Sequence, residues 1–173
     1  MKTLTKVMMV AFTMLSIMGC KKEKDGNYQM DNQSFVTQAS SSNNFEVQAG
    51  AVAMAKAQNA AVKYYGEHMV TEHTAVGNEM KSLASAKGWV IEASLQPKEQ
   101  ANLQKLNNSD ATAFDRAFME IMVASHQDAI TLFSNAASDN GVFDPDLREF
   151  ATVKLPSLKA HLEEAISLQA QVK

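Results

Sequence analysis

Apolar residues in this 173-residue chain recur in alternating steps of three and four along four long stretches, the spacing that gathers side chains on one face of a helix. The first stretch, about 34–57, carries Phe35, Ala39, Ser42, Glu46, Ala49 and Ala53 on its seam. The second, 60–87, carries Val62, Tyr65 or Gly66, Met69, His73, Val76, Met80 and Leu83. The third runs from an N-cap at Ser109 or Asp110 to about 139 and presents Phe114, Phe118, Met122, His126, Ala129, Phe133 and Ala136. The fourth opens with Asp144-Pro145, a capping residue followed by proline at the first helical position. Its seam is Leu147, Ala151, Lys154, Leu158, His161, Ala165, Leu168 and Val172. Gln58-Asn59, Gly88 and Asn140-Gly141 supply the stops, and a shorter helix from Pro97 to about Leu106 fills the second connection. No strand pattern remains to be placed. The expected fold is all-α, an up-down four-helix bundle with a short extra helix between its second and third long helices.

Two irregularities are expected within this frame. The run 40–44 (Ser-Ser-Ser-Asn-Asn) is a poor helix former and predicts a break or bend in the first helix. Pro156 lacks an amide proton and predicts a kink in the last. Trp89-Val90-Ile91 is expected to fold over one end of the bundle as an apolar plug.

Glu46, His73, His126 and His161 each occupy the inward seam of a different helix. Counted from the shared turns at 1.5 Å per residue, Glu46 and His73 differ in depth by about 3 Å, and His126 and His161 by about 7 Å. All four can therefore meet near mid-bundle, as metal ligands do in helical bundles. Neutral imidazole and carboxylate suit Zn, Fe, Mn or Cu. Met69 and Met122 each stand four residues before a seam histidine, so a thioether shares its face and offers a soft ligand for Cu(I). A second reading holds equally: buried histidines and Glu46 can form a polar network that only fixes the register of packing. His68 falls on the flank of its helix and reads as a surface residue. Glu67, Glu72, Asp115, Glu120 and Asp128 read as solvated faces or i, i+4 partners. Lys154 reads as a seam residue that snorkels outward.

The N-terminus reads as an export signal. Lys2 and Lys6 precede an apolar run at 7–18, too short for a membrane-spanning helix of about 20 residues. Ile17-Met18-Gly19-Cys20 resembles a bacterial lipobox, with Cys20 as the lipidated residue. The expected organisation is a signal peptide over 1–19, a lipidated cysteine and flexible tether over 20–33, and a bundle domain over 34–173. Lysine after Cys20 resembles export to an outer membrane. Membrane association is then through the lipid anchor, which several acyl chains make stable. Cys20 is the only cysteine, so thiol catalysis and cysteine metal sites are excluded from the bundle. Removing Lys2 and Lys6 from the 16 basic residues leaves 14 against 19 acidic ones, a net of −5, and no basic stripe is present. That balance argues against a nucleic-acid partner. Phosphate-binding glycine loops, G-x-S-x-G and H-E-x-x-H are absent from the sequence.

Several blocks resemble the bacterial family called domain of unknown function 4142. They are Phe45-Glu46-Val47 with Ala55-Lys56-Ala57, the run from Val62-Lys63-Tyr64-Tyr65 through Glu72-His73, Phe114-Asp115-Arg116-Ala117-Phe118 with Ser125-His126, and Leu155-Pro156-Ser157-Leu158-Lys159-Ala160-His161-Leu162. The resemblance implies a ferritin-like four-helix fold on exported or lipid-anchored proteins, with recurrent positions at Glu46, His73, His126 and His161, and it implies no activity. The block from Phe114 through Ile130 also resembles a second export-associated helical family, some of whose members bind copper. That family carries paired histidines where this chain has Ser125-His126. Ferritin-like di-iron chemistry needs E-x-x-H on two helices, and this chain has none. The expectations are thus a lipid-anchored protein holding one transition-metal ion, a structural or partner-binding lipoprotein without one, and, third, an enzyme whose metal activates water.

Overall fold

The computed structural model describes residues 28–172. The expected signal peptide, Cys20 and most of the expected tether lie outside the described residues. Five helices follow in order: α1 (Asn32–Lys56), α2 (Ala60–Lys87), α3 (Pro97–Asn108), α4 (Ala111–Ala137) and α5 (Pro145–Gln169). No strand occurs among the described residues. Short turns join α1 to α2 and α4 to α5, so each pair folds back as an antiparallel hairpin, and the two hairpins form the four-helix bundle. The pairs α1/α2 and α4/α5 pack along their lengths, whereas α2 and α5 meet only briefly. No helix among the described residues is long and apolar enough to cross a membrane.

Local chemistry sets the boundaries. Asp31 accepts from the amides of Gln33 and Ser34 and starts α1 two residues before the expected position. The end of the expected tether is consequently tied down: the amides of Gln29 and Met30 donate to the carbonyls of Asn140 and Gly141, and Tyr28 packs edge-on against Phe143. Asn59 caps α2, Asp144 caps α5 ahead of Pro145, and Gly88 closes α2 in the left-handed region at φ 75°. The carboxylate of Asp115 accepts from the amides of Gln58 and Asn59, pinning the α1–α2 turn to α4. Its role is structural rather than that of a solvated face. Asp128 and Glu120 do form surface pairs, with Lys98 and Arg116.

The expected break at 40–44 does not occur, and α1 is continuous. Its polar residues find tertiary partners instead: the hydroxyl of Ser41 accepts from the amide of Gln96, and Asn43 bonds α2. Helix α5 likewise runs through Pro156 as one element. Trp89 and Ile91 pack against the lower core, while Val90 stays exposed and its backbone bonds Gln33 in both directions. The buried side chains form two clusters. One holds Phe45, Tyr65, Met69, Phe114, Phe118 and Met122; the other holds Phe35, Met80, Phe133, Leu147, Phe150 and Leu158. Glu46, His73, His126 and His161 lie where one cluster gives way to the other along each helix.

Candidate metal centre

His73 of α2, His126 of α4 and His161 of α5 are all buried, and one nitrogen of each ring lies within 4.8 Å of one on each of the other two. Ring centroids are 5.4 Å apart for His73–His161 and His126–His161, and 5.8 Å for His73–His126. No regular helix packing requires three imidazoles at one level. The hydrogen bonds around them decide what the rings can do.

Each ring has one nitrogen committed to the protein. His126 Nδ1 donates to the Met122 carbonyl at 2.9 Å, within its own helix. His161 Nε2 donates to Glu72 Oε2 at 2.8 Å. His73 Nδ1 donates to Asn43 Oδ1 at 3.1 Å, while Asn43 Nδ2 donates back to the His73 carbonyl at 2.9 Å. That pair of bonds fixes the Asn43 amide orientation, because the flipped amide would set oxygen against oxygen and nitrogen against N–H. In each neutral ring the second nitrogen must then carry a lone pair. These nitrogens, His73 Nε2, His126 Nε2 and His161 Nδ1, have no hydrogen-bond partner within the protein. Burial holds all three rings in that neutral state. It pushes the His73 imidazole well below its ordinary range, with the neighbouring His126 and His161 adding to the effect, and it also lowers His126 and His161. A ring that donates one N–H to a carbonyl or carboxylate and offers the other nitrogen is the arrangement of a metal-ligating histidine.

Glu46 stands beside this group and outside it. Its Oε1 accepts from Ser125 Oγ and lies 3.9 Å from His126 Nδ1, the nitrogen already bonded to Met122. Burial pushes the Glu46 carboxyl up to about 8, so at pH 7 both it and His126 are neutral and their approach is not an ion pair. Oε2 of Glu46 has no partner. Met69 and Met122 are fully buried in the upper apolar cluster, and what Met122 gives His126 is its backbone carbonyl.

Four contributors escaped the sequence reading. Asn43, in the run expected to break, positions His73. Glu72 positions His161 and is gripped by His68, whose Nε2 donates to Glu72 Oε1 at 2.8 Å. Burial pushes the Glu72 carboxyl up, but the bonds from His68 and His161 outweigh it and hold the group below its usual range. His68 is one-third exposed, also reaches Glu164 at 3.4 Å, and so extends the centre toward the α2–α5 flank. Ser125 positions Glu46. Their signal was present in part: His68 and Glu72 stand four apart on α2, and Gly77 one turn beyond His73 leaves room for the Asn43 amide. A Cβ at Gly77 would sit 2.7 Å from Asn43 Nδ2.

A cavity of about 530 Å³ opens beside the three rings, lined at one end by Glu46, Glu72 and the histidines and farther down by Met80, Phe133, Phe150 and Leu158. Lys154, expected to snorkel outward, lines this cavity, lies over the Phe150 ring at 5.4 Å and pairs with Glu79 of α2.

Solved structures similar to the chain include the following two. One is described as CopM in the Cu(II)-bound form, with a TM-score of 0.67 and 18% identity, covering 83% of this chain and 98% of that one. The other is a DUF305 fragment from Deinococcus radiodurans, with a TM-score of 0.69 and 12% identity, covering 80% of this chain and 95% of that one. At these identities they establish the shared helical-bundle fold. No curated protein matches the chain. The family described as Domain of unknown function (DUF4142) matches over residues 20–168, nearly the whole sequence, and the chain belongs to that family.

Proposed function

We propose that this protein is a lipid-anchored envelope protein whose bundle binds a single transition-metal ion through His73, His126 and His161. The observation that carries this reading is the set of three buried lone pairs, one from each of three helices, each left without a partner by a hydrogen bond on the opposite ring nitrogen. A polar network serving packing alone has no reason to strand three acceptors, since each unsatisfied buried group costs about 1–3 kcal/mol. Zinc or copper bonds imidazole nitrogen at about 2.0–2.1 Å, so the three rings, now offering nitrogens within 4.8 Å of one another, close in further to take up an ion.

Three protein ligands leave a coordination position toward the cavity. Neutral imidazoles without thiolate suit Zn, Fe or Cu, and the Cu(II) held by the CopM structure makes copper the first ion to test. Glu46 stands close enough to balance charge, with Oε1 3.9 Å from His126 Nδ1 and Oε2 without a partner. Met69 and Met122 supply the apolar wall above the site and are the reserve ligands for a reduced, softer ion. Sequestration or buffering of an ion in the envelope is the role this design fits. Cys20 supplies the anchor, and the outer membrane is the proposed location.

Metal analysis of protein purified without chelator, followed by Cu(II) and Zn(II) titration, tests the site. One equivalent is expected for the wild type, and none for a folded His73→Ala/His126→Ala variant. Equal trace metal in both would leave the packing network as the better account. For the anchor, Cys20→Ser is expected to move the protein from the membrane fraction to the soluble one; unchanged fractionation would refute lipidation there.

A further inference from the structure

The cavity of about 530 Å³ beside the three histidines opens to solvent past Gln48, Thr74, Lys81 and Ser157, and it falls in the size range of small-ligand sites. Its lining is also chemically uneven. Among the described residues six buried side-chain polar atoms lack a partner, and five of them belong to residues that line this cavity: Ser40, Glu46, His73, His126 and His161. The opposite wall is apolar, made by Met80, Phe133, Phe150 and Leu158. A space with unsatisfied polar groups at one end and hydrocarbon at the other matches a ligand with a polar head and an apolar body.

Charge decides the head. On the metal reading above, on which this inference rests, a divalent ion on three neutral imidazoles places two positive charges in a buried site. Glu46 can offset one of them, and the Glu72 carboxylate, whose two oxygens are spent on His68 and His161, balances charge only from behind the His161 ring. Neither carboxylate occupies the open position, which an anionic oxygen donor suits. We propose that the cavity binds a small organic carboxylate with an apolar body, its carboxylate completing the coordination of the ion and its body lying against Met80, Phe133, Phe150 and Leu158. Ala129, one turn from His126 on the same face of α4, stands at the junction between the head and body regions.

The test measures binding of octanoate, acetate and octan-1-ol to Zn(II)-loaded protein by calorimetry, with metal content determined separately on the same samples. Octanoate is expected to bind at one equivalent, and acetate and octanol at least about tenfold more weakly, because each lacks half of the complementarity. Ala129→Leu fills the cavity and is expected to weaken octanoate at least about tenfold while leaving metal stoichiometry at one. Octanoate binding no tighter than acetate, or unchanged in Ala129→Leu with metal still bound, overturns the ligand proposal alone. Protein that takes up no metal overturns both, and the metal determination tells the two failures apart.

Discussion

Asn43 holds His73 by two bonds that cross from α1 to α2. Asn43→Leu leaves the His73 carbonyl and Nδ1–H without those partners, so a loss of about 1–3 kcal/mol in urea unfolding is expected. It also frees the ring, and loss of such an orienting partner lowers metal affinity by about 10–100-fold, measurable by competitive Zn(II) titration. Gly77→Ala is expected to weaken metal binding through the same residue, since its new Cβ would press on the Asn43 amide. The histidines themselves were legible in the sequence because their spacing follows the helix period; Asn43 was not, because its value depends on a residue thirty positions away. The same site sets a pH dependence in the metal-free protein. The three rings titrate lower in the fold than the ordinary 6.5, so as pH falls below 6.5 the unfolded chain takes up protons first and stability drops. Glu46 has the opposite sign: its contribution is full below 4.5 and is lost as pH rises to about 8. Between 4.5 and 6.5 up to three histidine protons outweigh one carboxyl proton, and above 6.5 only Glu46 still changes. Each proton is worth about 1.4 kcal/mol per pH unit. Denaturation in chelator should therefore show this site favouring a pH near 6.5, and Glu46→Gln should remove the decline between 6.5 and 8 and steepen the rise between 4.5 and 6.5, where the carboxyl no longer opposes the histidines.

Between α1 and α2 the backbones come together at two glycines. A Cβ on Gly50 would sit 2.5 Å from the Gly66 carbonyl, and one on Gly66 would meet Ala53 Cβ at 2.8 Å and the Gly50 carbonyl at 2.9 Å. The first obstacle is backbone, which cannot rotate away. Gly50→Ala gains about 1 kcal/mol of helix propensity but must spread the hairpin, and such overpacking costs about 1–3 kcal/mol or more. A lower urea midpoint is expected, and an equal or higher one would show that the two helices are free to separate. This crossing carries Asn43 and His73 on its two sides, so the variant should loosen that pair as well. Helix positions and caps were legible because they depend on neighbours in sequence: Asn59, Gly88 and Asp144-Pro145 all act where the chain places them. The continuity of α1 through 40–44 was not, because Ser41 and Asn43 are stabilised by Gln96 and His73, which only the folded chain brings near.

At the scale of the whole molecule, the centre joins two hairpins at mid-bundle, while their other polar ties, such as Asp115 to the α1–α2 turn and Lys87 to Asp144, lie toward the ends. His126 and His161 come from the second hairpin and His73 from the first, so an ion bound to all three crosslinks them. Periodicity could place the seam residues at one level but could not show which ring nitrogens were free, because that depends on partners such as Glu72 and the Met122 carbonyl. A ligand that binds only the folded state stabilises it by about 2.7 kcal/mol at a free concentration of 100 times Kd. For a domain of this size that corresponds to a rise in Tm of roughly 8–10 °C. Calorimetry with and without Zn(II) at that excess should show this rise in the wild type. His73→Ala removes the only histidine ligand from the first hairpin and leaves two on the second, so whatever ion it retains no longer ties the hairpins together. Its Tm shift should therefore fall to about 2–3 °C or less at the same free ion concentration, because affinity drops when one of three ligands is lost. His68→Ala, on the exposed flank, keeps all three imidazoles and should retain most of the shift. A rise of equal size in wild type and His73→Ala would mean that the ion binds elsewhere, and that the three free nitrogens are not its ligands.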